Sequence, residues 1–364
     1  MTDLQDYMAN SIRNIVAKAY LNVLTNPRQA KVVHQLQQSL STSEKRRRQV
    51  KESEGLDVPP FLISSISTTC NLHCKGCYAR KNGIATDHSA PTMSAEQWRK
   101  IFEESASIGI NFSIIAGGEP LMRRDVLEQI ATVEDMVFPV FTNGTLINDS
   151  YLEFFKEHMN MIPVMSLEGN ATITDDRRGE GVYRRVMETM RRLKEAKLFF
   201  GTSITVTTEN WQKVTSEAFV DELRSLGCKI VFYVEYVPVD AGTEHLAFDD
   251  SNVDTLLSTY DRIREKYDDI IMLSFPGDEQ VLGGCLAAGR GFFHIAPDGK
   301  AEPCPFSPFS DCKVTDLGVK EALRSPLFRK LKTAHIVGAP HKGGCTLFDY
   351  REQVEQIAND DNAI

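Results

Sequence analysis

Cys70, Cys74 and Cys77 fall within eight residues, in the loop Thr69-Cys70-Asn71-Leu72-His73-Cys74-Lys75-Gly76-Cys77-Tyr78. Three thiolates so spaced can take three corners of a cubane iron–sulfur cluster and leave the fourth iron open to an external ligand. An open metal position is where substrate chemistry takes place. A structural zinc is the rival use of the same residues. It needs a fourth ligand, and the local candidate, His73, lies between the cysteines rather than at a finger spacing. Further on, Cys285, Cys304, Cys312 and Cys345 suffice for a second, fully ligated cluster or a second zinc. Cys228, in Gly227-Cys228-Lys229-Ile230, reads as a small core residue.

The chain that must position these groups has 364 residues, 42% hydrophobic and 25% charged, enough for one large domain with appendages. A net charge of -9 gives no sign of a nucleic-acid-binding surface. The basic run at 45–48 reads as a solvated helix face. No apolar stretch has the length of a membrane span, and the first residues lack a basic region followed by an apolar one. A cytoplasmic chain is expected, whose eight cysteines serve metal ligation or catalysis rather than disulfides.

Apolar residues recur at three and four over 4–24, the pattern of an amphipathic helix, stopped by Asn26-Pro27. A second helical stretch carries Val32, Val33, Leu36 and Leu40, so residues 1–59 read as a helical extension packed on the main body. From Phe61 onward, short apolar runs at 61–67, 112–116, 137–142, 162–167, 199–206 and 230–237 alternate with helical patterns near 94–107, 123–132, 150–158, 183–196 and 215–226. Ser94 with Gln97 forms a capping-box start. Six strands with crossover helices imply a parallel, curved, incomplete (β/α)6 barrel of α/β class, with its chemistry at the carboxyl ends of the strands. A further helix near 253–267 closes this unit. Beyond about residue 276, glycine, proline and cysteine become dense. The expected domains are therefore a helical extension at 1–59, a barrel at 60–275, a small cysteine-rich unit at 276–350 and a tail at 351–364.

The Cys-x3-Cys-x2-Cys loop with Tyr78 after its last cysteine resembles that of the radical S-adenosylmethionine (SAM) superfamily. The resemblance continues in order along the barrel. Gly117-Gly118-Glu119-Pro120 follows the second strand, where the family has its Gly-Gly-Glu-Pro segment. Glycines there would let carbonyls approach the ammonium of SAM, with Glu119 as an added acceptor. Asn143 and Thr145, in Thr142-Asn143-Gly144-Thr145, match a segment near the ribose. Ser166-Leu167-Glu168-Gly169 ends the fourth strand, with Glu168 where related enzymes often carry aspartate. In Asp175-Asp176-Arg177-Arg178-Gly179, Arg178 aligns by the glycine with an arginine that grips the SAM carboxylate, Arg177 being the alternative. Thr205 and Val206 lie where an adenine contact is expected, core packing being the alternative.

The C-terminal cysteines resemble the SPASM domain and its shorter relative twitch, through the Gly-x4-Cys step Gly299 to Cys304 on a hairpin turned at Asp298-Gly299. The later Cys-x2-Cys run is missing, so one auxiliary cluster is implied. The resemblance thus implies two 4Fe-4S clusters, reductive cleavage of SAM to a 5'-deoxyadenosyl radical, and oxidative modification of a substrate, with a flavodoxin or ferredoxin as electron donor. The substrate would be a peptide or protein side chain or a small biosynthetic intermediate. Residues 1–59 show no strand pattern, so the winged-helix module of related peptide maturases is not expected. The first helix has few basic residues and is expected to pack on the barrel rather than on a membrane, a lipid substrate staying open. Glu235 and Tyr236 end the sixth strand; with Glu235 turned inward, Tyr236 points out. His294 reads as a packed or surface residue of the hairpin. The rival function is a non-catalytic iron–sulfur or zinc protein, an electron carrier or sensor on the same scaffold.

Overall fold

A computed structural model describes residues 27–86, 90–339, 341 and 344–360, with side chains from residue 37 onward. The helix expected over 4–24 lies outside the described residues. The chain then begins with α1 (Pro27–Glu54) and enters the sheet at β1 (Phe61–Ser67).

From there strand and helix alternate: α2 (Ala95–Ser107), β2 (Phe112–Gly117), α3 (Arg124–Ile130), β3 (Phe138–Thr142), α4 (Asp149–Glu157) and β4 (Met161–Ser166). Two helices, α5 (Ala171–Arg178) and α6 (Val182–Glu195), lead to β5 (Gly201–Val206). They are followed by α7 (Glu217–Ser225), β6 (Ile230–Glu235) and α8 (Val253–Lys266). The capping box at Ser94 is present in both its bonds. Neighbouring strands pair parallel throughout, in the order expected of right-handed crossovers.

The sheet is wider than the sequence pattern implied. A seventh parallel strand, β7 (Ile271–Phe275), pairs with β6. At the other edge a hairpin, β8 (His294–Ile295) and β9 (Ala301–Glu302), adds to β1, so the order is β7-β6-β5-β4-β3-β2-β1-β8-β9. The segment beyond residue 276 therefore extends the barrel sheet itself.

Strand alternation divides the sheet into two faces. Ile115, Val140, Met165, Ile204 and Val231 pack under the helices in the main core. Ile162, Val164, Ile230 and Phe232 form a separate apolar cluster with Phe141, Phe199 and Val234. All of these inward residues except Val164 line a cavity of about 600 Å3 that runs between the two ends of the barrel. Ser39 and Leu40 of α1 line it at the amino end of the strands. There α1 is fixed by Arg47, which donates to the Gly109 carbonyl at 2.6 Å, and by Arg46, which donates to the Ala106 carbonyl and to Asp135.

Candidate active site

The loop carrying Cys70, Cys74 and Cys77 leaves the carboxyl end of β1, and all three cysteines line the mouth of the cavity. They are half-buried, and all eight cysteines of the chain are free thiols. The loop is pinned from several sides. Gly118 N–H donates to the Ser67 carbonyl and Glu119 N–H to the Thr69 carbonyl, each at 2.7 Å. A Cβ on Gly118 would lie 2.1 Å from the Thr69 carbonyl oxygen, so the glycine permits the approach of two loops. The same holds for Gly76, at φ +62°, over which the Tyr236 hydroxyl lies 2.6 Å from where a Cβ would stand.

Polar side chains complete the support. Asn143 donates to Asn71 at 2.8 Å, Asn71 donates to Thr145 at 2.9 Å, and the Thr145 hydroxyl donates back to Asn143 at 2.7 Å. This ring joins the end of β3 to the cysteine loop. It leaves Thr145 off the cavity wall, while Asn143 lines it. Asn71, next to Cys70, is the member the motif comparison did not single out. Glu119 is buried; it accepts from Thr142 Oγ1 at 2.6 Å, Asn143 N–H at 2.8 Å and Leu121 N–H at 3.0 Å. Burial outweighs these bonds and pushes its carboxyl above the usual range.

The end of α5 delivers Arg177 and Arg178, where cations suit a helix carboxyl terminus. Both grip Glu168. Arg178 donates through Nε at 2.5 Å and Nη2 at 2.6 Å, and Arg177 through Nη1 at 2.8 Å. Burial alone would raise the Glu168 carboxyl, but Arg178 and then Arg177 hold it below its ordinary value. Reciprocally, burial pulls Arg178 down while Glu168 more than restores it, so its pKa is raised. Two guanidinium groups against one carboxylate leave one positive charge, and Arg178 Nη1 lies 3.9 Å from Cys74 Sγ. Burial, opposed by Arg178 and Arg177, raises the Cys74 thiol; burial also pushes Cys70 up to about 11.

Glu168 is thus the partner of both arginines and does not line the cavity. Val206 also departs from expectation. On β5 the alternate residues Ser203 and Thr205 face the cavity, so Val206 falls on the other face, fully buried in the main core. Thr205 accepts from Arg177 at 2.8 Å. Ser166, Gly117, Gly118 and Tyr78 line the cavity. Glu235 lines it too, but so does Tyr236, which continues the cavity parity of Ile230, Phe232 and Val234, whereas Glu235 continues that of Val231 and Tyr233 and reaches the cavity only at the end of the strand. Cys228 is buried in the core with its thiol toward the Ile230 carbonyl.

The second set of cysteines divides. Burial raises Cys285, Cys304 and Cys345, and each of these thiols also feels Glu279; Cys285 feels Cys345 and Cys304 as well, and Cys304 feels Cys345. Cys312, expected with them, stands apart: burial and then Asp311 push it up to about 12, with no other cysteine contributing. Its carbonyl accepts from Ala301 N–H at 3.0 Å, a pairing that fixes it beside the hairpin upstream of Cys304. Between the two cysteine sets, Tyr78 packs on Phe306 with ring centroids 4.8 Å apart. His294 is fully buried, 2.7 Å from Glu302 Oε2 and 2.8 Å from Ser65 Oγ. Among the described residues no three His, Cys, Asp or Glu side chains converge as ligands of a single metal ion.

Residues 64–234 match the Radical SAM superfamily. The AdoMet-dependent heme synthase of Methanosarcina barkeri is 24% identical over 325 residues, covering 81% of this chain and 90% of that protein. The PqqA peptide cyclase of Granulibacter bethesdensis is 22% identical over 259 residues, 68% of each chain. Among solved structures, Streptococcus suis SuiB bound to S-adenosylmethionine superposes with a TM-score of 0.67 at 15% identity, over 86% of this chain and 79% of that one. Among the described residues no helix is long and apolar enough to cross a membrane.

Proposed function

The chain is a radical SAM enzyme, and from that premise we propose that it oxidises a substrate in the barrel cavity by hydrogen-atom abstraction, aided by a second iron–sulfur centre in the cysteine-rich segment. Three free thiols at the cavity mouth are a donor set suited to a 4Fe-4S cluster with one open iron. When bound, that centre and SAM supply a 5'-deoxyadenosyl radical. The chain's own residues bind, orient and exclude water. The surplus positive charge of the Arg177, Arg178 and Glu168 group, set against Cys74, carries this reading. It gives a carboxylate a counter-charge beside the thiols. Glu119, which accepts three bonds, keeps about one further lone-pair site for an ammonium. Tyr78, Gly117, Gly118, Asn143 and Ser166 form the remaining cofactor wall in this proposal, with Glu235 and Tyr236 on the substrate side.

A cavity of about 600 Å3, apolar along the barrel, suits a small molecule or one peptide side chain with its neighbours. The relatives include a heme synthase and a peptide cyclase, which supports a small biosynthetic intermediate and a peptide side chain as the two proposed substrate classes. A flavodoxin or ferredoxin is the proposed electron donor, and the reducing cytoplasm, which keeps thiols unpaired, the proposed compartment.

The test is anaerobic reconstitution, reduction with dithionite and detection of 5'-deoxyadenosine from SAM by mass spectrometry. Wild type should form it and Cys74→Ala should not. Iron-loaded wild type that leaves SAM intact would overturn the proposal.

A further inference from the structure

Glu279 is a buried carboxylate, 2% exposed, in the turn that follows β7. The segment after it folds back around it. Its Oε1 accepts from Leu286 N–H at 2.9 Å, and its carbonyl accepts from Gly284 N–H at 2.9 Å. Those two residues flank Cys285 on either side. Cys304 is drawn to the same place because Ala288 N–H donates to the Pro303 carbonyl at 3.1 Å. Ala339 and His341, four to six residues before Cys345, lie against the same turn. A Cβ on Gly284 would lie 2.0 Å from the Ala339 carbonyl oxygen, and His341 Nε2 lies 3.4 Å from Glu279 Oε2. Three chain segments, each carrying one cysteine, thus close around one carboxylate. That carboxylate acts electrostatically on Cys285, Cys304 and Cys345 alike.

Cys312 has no place in this group. It pairs across from Ala301, three residues before Cys304, a separation of about 10 Å along an extended chain. Its carbonyl is held by Ala301 N–H and by the Ser310 hydroxyl, which fixes the residue there.

We propose that the auxiliary centre is held by three thiolates, those of Cys285, Cys304 and Cys345, with the Glu279 carboxylate as its fourth, oxygen ligand and Cys312 outside the ligand set. The assignment rests on the reading that this segment carries an iron–sulfur centre. A carboxylate is a harder and more readily displaced iron ligand than a thiolate, so the fourth iron of this centre is the one open to exchange.

The test uses the full chain, reconstituted anaerobically, with iron counted and the reduced protein examined by electron paramagnetic resonance. Circular dichroism checks that each variant is folded. Wild type should hold about eight irons in two 4Fe-4S centres. Cys312→Ser should keep that count and both signals. Cys304→Ser and Cys345→Ser should each lose about four irons, leaving one centre. Glu279→Cys should keep the iron and change the g-values of the second signal alone. Loss of about four irons in Cys312→Ser, or a second signal unchanged in Glu279→Cys, would overturn the ligand assignment while leaving the second centre standing. Wild type taking up only about four irons would overturn the second centre and this assignment with it.

Discussion

Replacing Glu235 by glutamine should remove a pH dependence of stability that the wild-type fold carries. Glu235 is 3% exposed; its Oε1 accepts from Ser274 Oγ at 3.1 Å, and its Oε2 has no hydrogen-bond partner. Burial is the main cause that lifts its carboxyl from 4.5 to about 7, with Asp278 and Glu279 adding to it against the Ser274 bond. The folded chain therefore holds this proton to higher pH than the unfolded chain does. Stability is highest where both states are protonated and falls as pH rises through this range. A rise from 4.5 to about 7 corresponds to roughly 3 kcal/mol at alkaline pH, of which about 2 kcal/mol develops between about pH 5.5 and about pH 8.5. Glu235→Gln keeps an acceptor for Ser274 and has no proton to lose, so its offset from wild type is constant except for this contribution. Anaerobic urea unfolding of both proteins, followed by circular dichroism across that range, should show Glu235→Gln gaining about 2 kcal/mol on wild type as pH rises. Parallel pH profiles would refute the argument, because they would mean that the carboxyl is solvated or paired in the folded state.

Two further predictions concern the cysteine loop. Gly118→Ala sets a methyl group 2.1 Å from the Thr69 carbonyl oxygen and must push the loop outward. SAM cleavage should fall by about a hundredfold with an unchanged circular dichroism spectrum, and undiminished cleavage would show that the close approach is dispensable. Glu168→Ala leaves two largely buried guanidinium groups without their carboxylate, which should cost about 3–5 kcal/mol in urea unfolding at neutral pH. Because the folded carboxyl titrates below its ordinary value, the wild-type advantage is present above about pH 4.5 and shrinks as pH falls through the folded value. A loss below about 1 kcal/mol at neutral pH would show that the group is solvated as a surface pair is.

Six strands, their crossover helices and the cysteine loop were legible because each rests on local information: period two, period three to four, a capping box and a fixed spacing. What was not legible depends on partners distant in sequence. β7 is a short apolar run next to a glycine- and proline-rich stretch, and only its ladder with β6 marks it as a strand. The polar sequence of α5 hid the helix that aims Arg177 and Arg178. That the acceptor is Glu168 depends on where the helix ends in space. Motif position left Val206 between an adenine contact and the core, and the parity of Ser203 and Thr205 on the same strand decides for the core. Four scattered cysteines look equivalent in sequence; the pairing of Cys312 with Ala301 separates it from the other three.

The hairpin explains why the two cysteine sets lie so close despite the length of chain between them. A barrel that does not close leaves β1 as an open edge, and an unpaired edge strand is a liability that needs a cover. β8 supplies it by pairing parallel to β1, with Ile63 opposite His294. Two-residue strands make a short ladder, so its register needs another source of specificity. The buried line Ser65, His294 and Glu302 crosses all three strands, β1, β8 and β9, with every link within hydrogen-bond distance. A slip of one residue would strand these polar groups without partners inside the sheet, at a cost of about 1–3 kcal/mol each. The register so fixed places Cys304, two residues beyond Glu302, beside the loop that leaves β1. Tyr78 and Phe306, one residue after Cys77 and two after Cys304, meet there as an aromatic pair between the two sets of thiols. The polar line thus holds the spacing between the two sites, and its role is positional, since none of its members lines the cavity.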